Sequence, residues 1–199
     1  MDHDLTQPSL LSRVRDGSDQ AAWREFDAKY RELLLRYCRA RGLQQSDAED
    51  VRQLVMMNLS KFLRNFEYSP EKGRFRTYLG RVVRNSISRY FSRPNPADRA
   101  LDTAVMATVP KDDGDQSDDL WEQEWVNHHY RLAMRTIHDT FDKRSVEVFD
   151  RLVEGESVAN VAETCEMSAQ AVHKVKQRIR KRMQELIAAQ IREEDQPDG

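Results

Sequence analysis

The chain has 199 residues, 33% of them charged, with 32 lysines and arginines against 34 aspartates and glutamates for a net charge of −2. That length allows one or two domains, and the composition fits a soluble, cytoplasmic protein. No run approaches the roughly 20 apolar residues of a membrane span, and the amino terminus lacks a basic-then-apolar signal pattern, so no membrane contact is expected. Glycine and proline are sparse and β-branched runs are absent, which predicts an all-α fold. Cys38 and Cys165 lie far apart in helix-like stretches and read as buried thiols. No CxxC, HxxxC or paired-histidine spacing suggests a metal, and adjacent His128 and His129 point to different sides of a helix, so no metal or cofactor is expected.

A first helical block runs from about Ser9 to Ser92. Ser18 is placed to cap a helix carrying Trp23, Phe26, Tyr30, Leu33, Leu34 and Tyr37 at spacings of three and four, ending at Gly42. Ser46 opens a second helix, Asp47 to Phe62 or beyond, with Val51, Leu54, Val55, Leu59, Phe62 and Phe66 on its core side. After a turn with Pro70 and Gly73, a third helix spans roughly Phe75 to Ser92 and is stopped by Arg93-Pro94-Asn95-Pro96. One arc of this helix holds Leu79, Val83, Ile87, Tyr90 and Phe91; the other holds Arg81, Arg84, Asn85, Ser88, Arg89 and Ser92. Tyr90 and Phe91 are expected in the core. The arginine, asparagine and serine arc fits phosphates and unpaired bases.

Residues 94–118 have no helical period and form a flexible acidic linker between two domains. The acidic run continues through Asp118, Asp119, Glu122 and Glu124, and suggests a basic partner for the tether. The second domain starts near Asp119: Trp121, Trp125, Leu132 and Ile137 make one stripe, and Val146, Phe149, Leu152 and Val153 another. After Gly155, Ser157 to Met183 has the grammar of a helix-turn-helix. Ser157 caps a short helix with Val158, Val161, Ala162 and Cys165 on one face; Glu166-Met167 makes the break; Ser168 caps a second helix with Val172, Val175, Ile179, Met183 and Leu186 buried. Its other face carries Gln170, His173, Lys174, Gln177, Arg178 and Lys181, suited to base edges and phosphates of a major groove. The tail after Glu193 reads as frayed. Two regions are basic and free of acids, Gly73 to Ala97 and Lys174 to Arg182, so a nucleic acid touched at two places explains the charge pattern better than the near-zero net charge does.

In this order and spacing the segments resemble a bacterial sigma factor of the extracytoplasmic-function (ECF) type, within the RNA polymerase sigma-70 family, over roughly Ser9 to Ile191. DAEDVRQLVMMNLSKF, Asp47 to Phe62, resembles region 2.2; FRTYLGRVVRNSISRYFSR, Phe75 to Arg93, resembles regions 2.3 and 2.4; Phe141 to Met183 resembles region 4. The resemblance implies a region 2-like domain over 9–93, a linker over 94–118 and a region 4-like domain over 119–191. It implies that Asp47, Asp50, Gln53 and Phe62 dock on core RNA polymerase, whose β′ clamp helices and β subunit are the expected partners. Arg81, Arg84, Asn85 and Arg89 would face the −10 non-template strand of promoter DNA, with the loop from Phe66 to Arg74 as a pocket for a flipped base. Gln170, His173, Lys174 and Gln177 would read the −35 bases, with Arg178 and Lys181 on phosphates. The linker would thread into the RNA path of the polymerase, and an anti-sigma factor is a further partner the resemblance admits.

Three positions depart from the family pattern: Leu54 stands where an acid is common, Tyr78 where tryptophan is, and Glu166 at a turn position usually held by glycine, where a positive φ strains a side chain. The alternative function is a stand-alone helix-turn-helix regulator binding duplex operator DNA, which leaves the arginine helix unexplained. An enzyme built on Asp47, Glu49 and Asp50 lacks the second group of ligands a two-metal site needs, so no catalysis is expected.

Overall fold

The computed structural model describes residues 9–63, 75–92 and 118–195. These form eight helices and no strand: α1 (Leu10–Arg15), α2 (Gln20–Ala40), α3 (Gln45–Phe62), α4 (Phe75–Phe91), α5 (Asp119–Thr140), α6 (Lys143–Val153), α7 (Val158–Thr164) and α8 (Ala169–Asp195). They divide into two compact units, one holding α1–α4 with α5 through Trp125 and the chain from Glu193, the other Val126–Arg192. The linker read at 94–118 lies outside the described residues except for Asp118.

In the first unit α2 packs on α1 and α3, and α3 on α4. The stripe read on α2 is its buried face, with Phe26, Leu33, Leu34 and Tyr37 fully covered, and Trp23 packs at its margin. Phe26 meets Phe75 of α4 edge-on, with centroids 6.0 Å apart. Cys38 is buried in the same core, and burial pushes its thiol pKa up to about 12. The helix starts differ from the sequence reading. Asp19, not Ser18, caps α2, accepting the Ala22 amide at 2.8 Å, while Ser18 donates its hydroxyl to Asp16. A carboxylate is the stronger acceptor for the amide dipoles. Helix α3 begins at Gln45 with Gln44 as a cap that makes no side-chain bond, so Ser46 lies inside the first turn.

The tryptophan stripe of α5 is split between two cores. Trp121 and Trp125 belong to the first unit, Ile137 to the second. The Trp121 indole stands edge-on to Tyr37 at 5.1 Å and donates from Nε1 to the Arg76 carbonyl at 3.2 Å. It lies so close to Gly80 that a Cβ there would be 2.6 Å from Nε1, which is why α4 carries a glycine in mid-helix despite the propensity cost. Trp125 stacks on Tyr30 with centroids 6.2 Å apart. The Tyr30 hydroxyl donates to Glu194 at 2.6 Å, and Lys29 lies 3.5 Å from the same carboxylate. Burial, reinforced by Glu194, holds the Tyr30 pKa well above the phenol value. The chain is therefore helical and buried at Glu194, where the sequence suggested fraying.

The second unit has two apolar clusters. Ile137, Val146, Phe149, Ile179 and Met183 form one; Val148, Val161 and Val172 form the other, covered by Leu152, Val158, Ala162, Cys165 and Met167. Val153, assigned to the α6 stripe, is 57% exposed, and Val148 takes the buried position instead. His128 and His129 are both buried, and His129 Nδ1 sits 2.9 Å from Gln190 Oε1.

Candidate nucleic-acid interface

Both hydroxyl caps of the helix-turn-helix are in place. Ser157 accepts the Asn160 amide and Ser168 the Ala171 amide, each at 3.2 Å. Between them Glu166 adopts φ 50°, the left-handed conformation that suits glycine. The turn closes with two bonds, Glu166 N–H to Glu163 O at 3.2 Å and Met167 N–H to Ala162 O at 2.8 Å. The same pair of bonds closes α2 at Gly42 and α6 at Gly155, where φ is 92° and 97°. Sequence reasoning missed the residue that braces the strained turn. Arg144, at the start of α6, donates to the carbonyls of Cys165 and Glu166 at 2.5 and 3.1 Å. Its position across a helix from the turn left no local signal.

On α8 the apolar positions Val172, Ile179 and Met183 are buried, and Gln170, His173, Lys174, Gln177, Arg178 and Lys181 are all exposed. At about 100° per residue these six fall within an arc of roughly 140°, one continuous polar and basic face. Arg178 is also a structural residue. It donates to Ser145 Oγ at 2.7 Å, lies 3.6 Å from Asp142 and covers the Phe141 ring at 5.3 Å. The Ser145 hydroxyl in turn donates a hydrogen bond to Asp142, and the Ser145 hydroxyl and amide bonds hold that carboxyl below its ordinary pKa. Arg178 thus fixes α8 to the start of α6 while its side chain stays more than half exposed.

On α4, Leu79, Val83, Ile87 and Tyr90 face the core as read, joined by Val82 and Ser86. Arg81, Arg84, Asn85 and Arg89 are half-buried along the opposite arc, and Ser88 is exposed. Phe91 departs from the expectation: it is 60% exposed, while Tyr90 beside it is buried. The acid run finds part of its basic partner inside the same unit. Asp118 accepts from Tyr37 and Arg41 through Oδ2, which also lies 3.9 Å from Arg84 Nη1, and caps α5 by accepting the Trp121 amide at 3.2 Å. Glu122 pairs with Arg76 at 2.9 Å. Asp112, Asp113 and Asp115 lie outside the described residues, as does the loop from Phe66 to Arg74.

On α3, Asp50 and Gln53 are exposed and Asp47 is half-buried, three residues apart along one line of the helix. Glu49 is engaged internally by Arg52 and Arg31 at 2.8 and 2.6 Å, and those bonds lower its pKa. Phe62 ends α3, and its side chain is not among those described. The structure thus gives a basic arc on α4 and an acid-amide line on α3 in the first unit, and a polar, basic face on α8 in the second.

Residues 26–95 match the family model for sigma-70 region 2. Among solved structures, one described as CnrH in complex with the cytosolic domain of CnrY aligns over 90% of this chain and 96% of that chain, at 20% identity and a TM-score of 0.36. No curated protein matches the chain.

Proposed function

We propose that the chain, whose residues 26–95 match the family model for sigma-70 region 2, is an alternative sigma factor of the ECF type. In this reading it binds core RNA polymerase and directs promoter recognition, melting and the start of transcription. The observation that carries the proposal is a second, independent basic face lying outside the matched region. Gln170, His173, Lys174, Gln177, Arg178 and Lys181 line one side of the second helix of a capped helix-turn-helix.

The division of labour follows from chemistry. Asp47, Asp50, Gln53 and Phe62 on α3 meet core polymerase, where acid and amide groups suit a basic partner helix. Arg81, Arg84, Asn85 and Arg89 hold the phosphates of the −10 non-template strand, and the amides and imidazole of α8 read −35 base edges. The near-neutral charge fits a protein that grips DNA only with polymerase supplying further contacts. Such a protein works in the cytoplasm, and among the described residues no helix is long and apolar enough to cross a membrane. An anti-sigma factor acting on it would cover the same α4 and α8 faces.

The test is to mix the purified chain with core polymerase and transcribe a promoter library. Stable binding with selective initiation supports the proposal. No binding to core, with tight binding to duplex DNA alone, would instead establish the stand-alone regulator.

A further inference from the structure

We propose that Arg178 is a positioning residue rather than a phosphate contact. With Arg144 it forms a two-point bracket through which the start of α6 sets the direction of α8 and the base preference at the −35 element. This deepens the sigma-factor reading and rests on it. The two arginines cross the same seam in opposite directions. Arg144 reaches from α6 to the turn before α8, donating to the carbonyls of Cys165 and Glu166 at 2.5 and 3.1 Å. Arg178 reaches back from α8 to α6, donating to Ser145 Oγ at 2.7 Å and covering the Phe141 ring at 5.3 Å. Because α8 begins at Ala169, Arg178 lies about 14 Å along it from the turn. Two fixed points that far apart define the direction of a rigid helix; one alone would leave a pivot.

What Arg178 touches sets it apart from the rest of its face. At about 100° per residue it stands at the edge of the polar arc, about 40° beyond Lys174 and on the side toward half-buried Val175. Among the described residues, Gln170, His173, Lys174, Gln177 and Lys181 make no side-chain hydrogen bond or ion pair, so those five can turn wholly to DNA. Arg178 has Asp142 at 3.6 Å, a carboxylate that repels any phosphate approaching the guanidinium. Both side chains of that ion pair are more than half exposed, where such a pair contributes little to stability. The hold on Arg178 therefore comes from Ser145, which is 6% exposed, and from the Phe141 ring. Moving Arg178 onto a phosphate would take a donor from a buried hydroxyl and uncover that ring. A base-reading helix whose supports are loosened keeps its residues and loses its register, because good base contacts tolerate little displacement.

The test uses the full chain bound to core polymerase on the promoter library and reads two quantities, discrimination among −35 bases and the salt slope of promoter binding. One good base contact discriminates roughly 5- to 150-fold. Arg178→Lys keeps the charge but offers neither the fork of donors nor a flat cover for Phe141. It should reduce −35 discrimination about fivefold, the low end of that range, with the salt slope unchanged. Ser145→Ala and Arg144→Ala should relax the preference in the same way, although Ser145 is buried and cannot reach DNA. Arg178→Ala should also leave the slope in place, whereas Lys181→Ala should lower it by about one unit. A one-unit loss of slope in Arg178→Ala makes the residue a phosphate contact and overturns the inference. Full discrimination in Arg178→Lys or Ser145→Ala overturns it too, while selective initiation by the parent keeps the sigma-factor reading intact. The same holds for a lowered melting temperature without relaxed preference, which marks bonds that only stabilise the unit. A parent chain that fails to bind core removes the sigma-factor reading, and this inference falls with it.

Discussion

Asp118 Oδ2 stands 3.9 Å from Arg84 Nη1, so the acid that caps α5 faces an arginine on a helix without acids. The same oxygen accepts from Tyr37 and Arg41, and the Asp118 side chain is only 8% exposed. Four elements of structure, α2, α4, the chain before α5 and α5 itself, meet on one carboxylate. An arginine proposed for DNA phosphates thus already has a negative neighbour in the free protein, and DNA must compete with it.

Asp118→Asn should lower the stability of the first unit by about 2 kcal/mol, the scale of a charge-assisted bond lost from a buried group. Burial alone would raise the Asp118 pKa, but bonds from Tyr37, Arg41 and the Trp121 amide hold it below its ordinary 3.8. A carboxyl depressed in the folded state binds protons less readily than in the unfolded chain. Its contribution is therefore full above the unfolded value and is lost as pH falls through the folded one. Urea unfolding between about pH 6 and pH 3 should show the parent losing its advantage over Asp118→Asn toward the acid end. A constant difference across that range would refute the assignment.

Gly80→Ala should destabilise despite alanine's better helix propensity. The new methyl would sit 2.6 Å from Trp121 Nε1 and 2.8 Å from Cε2, and overpacking of this kind costs about 1–3 kcal/mol. At Gly42 nothing lies within 4 Å of a built Cβ, and the cost of alanine there comes from φ 92° alone. Circular dichroism during urea titration separates the two, since only Gly80→Ala should also expel the indole and release its bond to Arg76.

Glu166→Gly should stabilise the second unit by about 0.5–1 kcal/mol, because it relieves a left-handed residue bearing a side chain at a turn whose bonds need no side chain. Arg144→Ala should act in the opposite direction by freeing two carbonyls of that turn. Thermal melts of the two single variants and of the double variant measure whether the brace matters more when the strain is present.

Arg84→Glu or Lys174→Glu should abolish promoter-specific initiation and leave core binding within about twofold, since both charges face DNA in the proposal. Lys181→Ala should weaken promoter binding with little change in sequence preference and reduce the salt slope by about one unit. Equal loss of core binding and initiation in the charge reversals would sink this division of labour.

The sequence shows which face of each helix is apolar with some accuracy. The Ser157 and Ser168 caps, the stop at Gly42, the bounds of α4 and the buried line on α8 all emerged from local chemistry, which acts within a turn or two of chain. What stayed hidden depends on distant partners. Trp121, Trp125 and Ile137 share a helical stripe, yet no period says that the first two enter a different core from the third. Glu194 looks like a polar tail until Tyr30, 164 residues away, donates a hydrogen bond to it. Phe91 and Val153 continue their stripes in sequence, but each sits at the carboxyl end of its helix and is more than half exposed. Of the candidate site, the α8 and α4 faces were legible from residue type and spacing. Asp118 as a neighbour of Arg84, and Arg144 as the brace of the turn, were not.

The placement of Trp121 and Trp125 has an optical consequence. The chain has three tryptophans, and with Trp23 on α2 all of them lie in the first unit. Indole emission therefore reports on that unit alone, while the second, Val126–Arg192, is spectroscopically silent at those wavelengths and visible only through its helical ellipticity. Unfolding curves followed by emission and by ellipticity should coincide only if the two units melt as one cooperative body; a lag between them would give the stability of each unit from a single unlabelled sample.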